Sequence, residues 1–237
     1  MLAGVRPAAA GERRIDRLIE QSAALPTISQ RIDVISRALI GTRYRGYTLI
    51  GGPHRPERFV ARDDCFDCVT YCETVLAAAI ARTPSGFAPA LRTIRYHDGV
   101  VAWRERNHYF FEWSEHNVAN WTCRDITMDG AIELDKTVYW HKALGRRRFA
   151  MHVIPRATFL ANRAMLETGD IVGFVTRRPN LDYFHVGFIA FGPKGEFLLR
   201  HASQSHGRVL DEPMQHFVRV NRVRYVTLLR PLEPVWI

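Results

Sequence analysis

The sequence predicts an α+β fold in one domain covering residues 1–237. Three observations predict it. Apolar residues recur at helical spacing as far as Pro84. Continuous or alternating apolar runs, punctuated by turn formers, fill Asp170 to Leu229. Between them, a middle segment of about residues 90–165 mixes Arg, Trp and Tyr with no clear period. Helices first and strands later is the signature of an α+β architecture. The composition is 47% hydrophobic, which is enough to build a core. No apolar run approaches the ~18 residues of a membrane span, and no internal repeat or linker divides the chain.

The elements follow in order. An amphipathic helix runs roughly from Glu12 to Leu25, within an N-terminal helical segment of about residues 12–40. A second helix begins near Thr27 or Ser29, carries Ile28, Ile32, Ile35 and Leu39 on one stripe, and stops at Gly41. A third follows Asp64-Cys65-Phe66-Asp67, where Val69, Cys72, Leu76, Ala79 and Ile80 recur at helical spacing. Asp67 or Asp64 serves as its N-cap, so Cys68 falls in the first turn and Cys72 one turn deeper, facing the core. The middle segment caps that core. Further on, His185-Val186-Gly187-Phe188-Ile189-Ala190 and Glu196-Phe197-Leu198-Leu199-Arg200-His201 read as strands joined by Gly192-Pro193-Lys194-Gly195. Proline second and glycine fourth fit a three-residue hairpin loop. Gly192 then pairs with Glu196, His201 lies opposite Gly187, and His185 and His201 share a face as diagonal neighbours. A two-residue loop would put them on opposite faces.

A thiol in a helix's first turn sits where backbone N–H groups and the helix dipole favour negative charge, so a nucleophilic thiolate is the first reading of Cys68. Burial is the default role of cysteine, and it is the role read for Cys72 and Cys123. Cys65-x-x-Cys68 with Cys72 and a histidine offers enough ligands for a metal site, the second reading, but no second Cys-x-x-Cys or closely paired Cys/His knuckle follows. A redox dithiol would need a preceding apolar strand, but Glu57-Arg58-Phe59-Val60-Ala61-Arg62 is short and mixed. A nucleophilic cysteine also needs a base. Among ten histidines, His54, His97, His116, His141, His152, His206 and His216 lie among polar neighbours, and His108 is harder to dismiss. His185 and His201 stand apart as a strand-borne pair. The expected arrangement turns Nε2 of one imidazole toward the thiol and holds its Nδ1 with the other.

These residues resemble the papain-fold, NlpC-like cysteine hydrolases of bacterial cell walls, and within them a subfamily of N-acetylmuramoyl-L-alanine amidases. The likeness begins at Gly41-Thr42-Arg43-Tyr44 and continues through Phe66-Asp67-Cys68-Val69-Thr70-Tyr71-Cys72-Glu73. It takes in Ile94-Arg95-Tyr96-His97-Asp98-Gly99, Arg106-Asn107-His108-Tyr109 with Trp113 and Asn117, and Asp125-Ile126-Thr127. Thr168-Gly169-Asp170-Ile171-Val172, Asp182-Tyr183-Phe184-His185-Val186-Gly187 and His201-Ala202-Ser203 complete it. The resemblance implies a papain-like fold with the catalytic helix packed on an antiparallel sheet or half-barrel. It also implies Cys68 as nucleophile, His185 as general base and then acid, and His201 as the residue that orients His185. Tyr44 is placed over the site, or alternatively is a packed loop tyrosine with a wet hydroxyl. Arg95, Tyr109, Trp113 and Asn117 are carried over as substrate-binding positions, against a plainer reading in which Trp113 is core and Arg106 pairs with Glu112. The Cys68 N–H would meet the oxyanion, which the helix start supports independently.

No cofactor or metal is implied. The implied substrate is peptidoglycan or a muropeptide, cut at the bond between N-acetylmuramic acid and L-Ala. A γ-D-glutamyl–diamino acid cut and acyl transfer are the alternatives within the superfamily. A net charge of +9 suits carboxylate-rich glycopeptides. The alternative of a different class is a basic nucleic-acid or anionic-polymer binding protein, but nucleic acid is not expected, because Arg146-Arg147-Arg148 is the one tight basic run and reads as a solvated loop. The family is usually exported, whereas residues 1–10 carry neither a basic n-region nor a long apolar core. Export is therefore open between three readings: the start is internal or trimmed, the protein acts on recycled wall fragments inside the cell, or a secretion machine reads no cleavable signal. Cys65 beside the nucleophile is unusual, and a reversible Cys65–Cys68 disulfide is expected under oxidation. Composition says nothing about oligomeric state.

Overall fold

Two short helices come first among the described residues of the computed structural model, which are 13–127, 130–139 and 141–234; Glu12 and residues 1–10 lie outside these. Helix α1 (Arg14–Ser22) ends three residues before Leu25, because Pro26 disfavours helical backbone in the residues ahead of it. Helix α2 (Ile28–Ala38) starts with a capping box in which the Thr27 hydroxyl accepts from the Gln30 N–H and the Gln30 side chain accepts from the Thr27 N–H. Its stripe Ile28, Ile32, Ile35 and Leu39 is buried as expected. Gly41 follows at φ 86°, the left-handed turn that glycine allows.

Short strands β1 (Arg43–Tyr44), β2 (Ile50–Gly52), β3 (Arg55–Arg58) and β4 (Cys65–Phe66) lead into helix α3 (Cys68–Ala81). Asp67 caps α3 by accepting from the Thr70 N–H at 2.8 Å, while Thr70 Oγ1 accepts from the Asp67 N–H at 3.0 Å. Of the two candidate caps, Asp67 fills the position. The helix is apolar on nearly every side, and Thr70 through Ala79 are all buried. It stops at Arg82, which is left-handed at φ 52°.

The middle segment holds more regular structure than its sequence signals. Helix α4 (Pro84–Arg95) has Thr83 as N-cap and proline in its first turn, but Pro89 inside it masks the helical pattern. Helix α5 (Phe110–Ala119) and strand β5 (Cys123–Asp125) follow. Strands β6 (Ile132–Val138) and β7 (Arg147–Pro155) then pair along their length as a hairpin. Its burial alternates along β7, and the charged residues of its outer face hid the strand period. The basic run therefore opens a strand rather than forming a loop: Arg148 pairs with Asp135 at 2.9 Å across the hairpin, and Arg147 lies 3.8 Å from Glu112.

After α6 (Arg156–Ala161) come β8 (Ile171–Val175), β9 (Tyr183–Phe191), β10 (Phe197–Ser203), β11 (Arg208–Pro213), α7 (Met214–Val220) and β12 (Tyr225–Pro231). Among the described residues the main sheet has ten strands, in the order β4-β1-β11-β10-β9-β8-β12-β7-β6, with β5 added on β12. Every pairing is antiparallel except β1 with β4, and the sheet curls into a half-barrel. The α+β class is thus as the sequence predicts. One face carries Val186, Phe188, Ala202 and Val209 into a core shared with α1 to α4. The other carries Val172, Phe174, Ile189 and Leu199 against Phe159 of α6 and Met214 and Phe217 of α7. No helix among the described residues is long and apolar enough to cross a membrane.

Candidate active site

Strands β9 and β10 set the geometry. Their ladder runs from Phe197 with Phe191 to Arg200 with Phe188, which is the register expected from a loop at residues 193–195. Pairing stops there, and beyond it the strands carry His185 and His201. The two imidazoles meet edge to face, with His185 Nε2 2.6 Å from His201 Nδ1, and both rings rest on Phe217. Gly187 makes this approach possible, since a Cβ there would lie 2.9 Å from His201 Cβ and 3.0 Å from the Arg200 carbonyl oxygen. The ring orientation differs from the expected one. Because Nε2 of His185 is engaged by His201, the nitrogen left for a thiol is Nδ1.

Cys68 opens α3 and reaches the same place. Backbone N–H groups of Val186, Val69 and Cys68 lie near enough to its sulfur to favour the thiolate, and Val186 is the residue after His185. Cys68 and His185 line one cavity of about 810 Å³, together with Tyr44, Arg95, Tyr109 and Trp113. Tyr44 lies close enough to Cys68 for the two to interact electrostatically. Arg95 is 2% exposed, donating from Nε to Glu73 at 2.7 Å and from NH1 to the Val60 carbonyl at 2.6 Å. The Trp113 indole N–H turns toward the same carboxylate without closing a well-shaped hydrogen bond. Tyr109 is buried and stacks edge-on against Phe149. Asn117 lies off the cavity, and its amide donates to the Ile94 and Trp113 carbonyls, tying α5 to α4. Arg106 pairs with Glu57 at 3.0 Å rather than with Glu112. Glu73 is the residue whose part sequence reasoning missed. A carboxylate midway along a helix that is otherwise apolar all round is the signal that marks it.

Burial acts on the titratable groups of the site. Burial pushes the Cys68 thiol up to about 12, with the Asp67 carboxylate adding to the effect, and this outweighs the three N–H groups that favour the thiolate. Burial and the neighbouring His201 bring His185 down to about 3. Burial thus works against charge on both groups, raising the thiol and lowering the imidazole. Tyr44 rises to about 12 through burial and then through Cys68 and Asp67, so it keeps its proton as a donor. Cys65 and Cys68 are both free thiols, Cys65 being 2% exposed. Among the described residues no group of His, Cys, Asp or Glu is arranged to hold a metal.

A family model described as AmiA-like, N-acetylmuramoyl-L-alanine amidase-like, matches residues 34–224, most of the chain and the whole of this site. The chain belongs to the AmiA-like family. Solved structures share the fold of this AmiA-like protein. An N-acetylmuramoyl-L-alanine amidase from Bacteroides uniformis ATCC 8492 is 23% identical with a TM-score of 0.76, over 87% of this chain and 99% of that one. Protein LPG0564 from Legionella pneumophila str. Philadelphia 1 is 22% identical with a TM-score of 0.78, over 93% and 95%. No curated protein matches the sequence.

The buried imidazoles make stability of the AmiA-like chain depend on pH. His201 is 1% exposed and is brought down to about 4, first by burial and then by His206. A histidine with a lowered folded-state value binds its proton better when unfolded, so its stabilising contribution is complete above about pH 6.5 and is lost as pH falls toward 4. At pH 5 the loss is about 2 kcal/mol. Glu73 and Asp182, raised by burial, act in the opposite sense. The comparison is therefore with His201→Asn, which does not titrate. The wild-type advantage in melting temperature should shrink by several degrees between pH 7 and pH 5. An advantage that stays constant would show that His201 is not buried neutral.

Proposed function

We propose that this protein is a cysteine amidase that hydrolyses the bond between N-acetylmuramic acid and L-Ala in peptidoglycan fragments or muropeptides. The observation that carries the reading is one cavity holding a first-turn thiol and an imidazole whose far nitrogen is bound by a second imidazole. Membership of an amidase-like family directs it to this bond. The papain-like, NlpC-type arrangement belongs to the same proposal, and it is supported by the nucleophile helix packed on the sheet that bears both histidines.

In the proposed reaction Cys68 Sγ attacks the amide carbonyl while its proton passes to His185 Nδ1, so that the general base acts during attack rather than before it. The tetrahedral oxyanion is met by the Cys68 N–H at the helix start. The proton on His185 is then delivered to the amide nitrogen, the peptide departs as its free amine, and a thioester to the lactyl group of the sugar remains. Water, deprotonated by His185, attacks the thioester and releases the acid and the thiol. His201 holds the His185 ring throughout. Tyr44, Tyr109, Trp113 and Arg95 form the walls against which substrate is placed, while Asn117 acts by holding α5 in position. The surplus of positive charge favours a substrate bearing carboxylates.

Digestion of purified muropeptides with product masses read by mass spectrometry tests this. The expected products are intact stem peptide and peptide-free sugar. A cut within the peptide would replace the assignment with a γ-D-glutamyl endopeptidase, and no cleavage by protein with a titratable Cys68 thiol would sink both.

A further inference from the structure

His201 has a second nitrogen that the reaction as drawn does not use. Its Nε2 is buried, and among the described residues no acceptor closes a well-shaped hydrogen bond with it. What it faces is a carboxylate: Glu212 Oε2 lies 3.3 Å away, off the line of the ring N–H. The β10–β11 register puts it there. His201 pairs with Leu210 and Leu199 with Glu212, so Glu212 stands two residues along β11 on the face that His201 occupies. Its neighbour Asp211 points to the other face, where it is bound by Arg200 through contacts of 2.7 and 2.8 Å. The Glu212 side chain is 13% exposed, and its other oxygen lies 3.8 Å from the half-exposed His216.

A carboxylate accepts and cannot donate. If His201 carried its proton on Nδ1, the bare Nε2 lone pair would face that carboxylate in a buried setting, and Nδ1–H would have to donate to His185 Nε2. His185 would then hold its own proton on Nδ1, the nitrogen that must receive one from the thiol. We propose that Glu212 is a positioning residue that keeps His201 in its Nε2–H tautomer, so that His185 Nε2–H donates to His201 Nδ1 and the His185 Nδ1 lone pair is left for Cys68. This inference rests on the cysteine amidase reading. Only one proton moves during attack, from Cys68 to His185 Nδ1. The protons on His185 Nε2 and His201 Nε2 stay in place, and Glu212 supplies a negative charge behind the imidazolium that forms.

Two readouts separate this from a structural role. In wild-type protein labelled at imidazole nitrogen, NMR correlations should show His201 as the Nε2–H tautomer, and in Glu212→Ala its proton should redistribute toward Nδ1. Glu212→Ala should lower kcat on the order of 10–100-fold with KM changed less than two-fold. Glu212→Gln, whose amide oxygen can still accept from Nε2–H, should recover part of that loss, and His216→Ala should match wild type. An Nδ1–H tautomer in the wild type overturns the proposal, as does a Glu212→Ala variant within two-fold of wild-type kcat or a glutamine variant as slow as the alanine one. Failure of the amidase reading itself would look different, because the wild type would then cut inside the peptide or not at all, or Cys68→Ala would hydrolyse as fast as wild type, while the His201 tautomer is read by NMR without any substrate.

Discussion

Cys68→Ala is expected to lower turnover of a muropeptide amide by at least about 10⁴-fold, with His185→Ala close behind and the double variant no worse than either single one. The size follows from the pairing of the two groups. Burial raises the thiol and lowers the imidazole, so in the proposed reaction neither group is activated alone and loss of either removes the nucleophilic step. Non-additivity is the mark of residues that act as one unit. The pH profile carries the same information. A base held low by burial moves the acid limb of kcat/KM well below the ordinary histidine range, which leaves a plateau through neutrality. A resting thiolate–imidazolium pair would instead add a second fall near pH 8–9 as the imidazolium deprotonates. Steady-state rates of peptide release from pH 4 to 10, with folding of each variant checked by circular dichroism, decide the matter. Either single variant retaining more than about one per cent of wild-type activity would remove Cys68 or His185 from the chemistry.

The sequence carried the site further than it carried the scaffold around it. Hairpin register is a local property, fixed by Pro193 and Gly195, so the pairing of His185 with His201 could be read without any knowledge of the sheet. The same holds for Asp67 and Thr70, whose spacing announces the start of α3. What escaped was tertiary. Whether a first-turn thiol is acidic depends first on how deeply the helix start is packed, with the Asp67 carboxylate adding to the rise and the N–H of Val186, from a distant strand, opposing it. Helix α4 escaped because Pro89 breaks the pattern that neighbouring helices nevertheless enforce. The β6–β7 hairpin escaped because its outer face is charged and its turn holds no Asn-Gly signal. Arg95 stood in the middle segment as a substrate contact, but its partner Glu73 lies on another helix, and a pair separated by 22 positions leaves no periodic trace.

That pair supports the second large effect. Both side chains are 3% exposed, joined at 2.7 Å, and they link the middle of α3 to the end of α4. Removing one member of a buried ion pair strands the other, at a cost of about 3–5 kcal/mol. Arg95→Ala should therefore lower the melting temperature by roughly 10 °C. Replacing both groups with apolar residues of similar volume, as in Glu73→Leu with Arg95→Met, should restore most of the loss, since nothing charged is then left in the core. In that double variant, activity should fall mainly in kcat, because Glu73 lies on the helix that carries Cys68 at its start, and a shift of α3 misplaces the sulfur before it weakens substrate contacts. A substrate-binding arginine behaves differently: KM would rise ten-fold or more while the melting temperature stayed within about 2 °C of wild type. Thermal unfolding and steady-state kinetics on the same preparations separate the two, and the second pattern would make Arg95, already on the cavity wall, a direct ligand for substrate carboxylates.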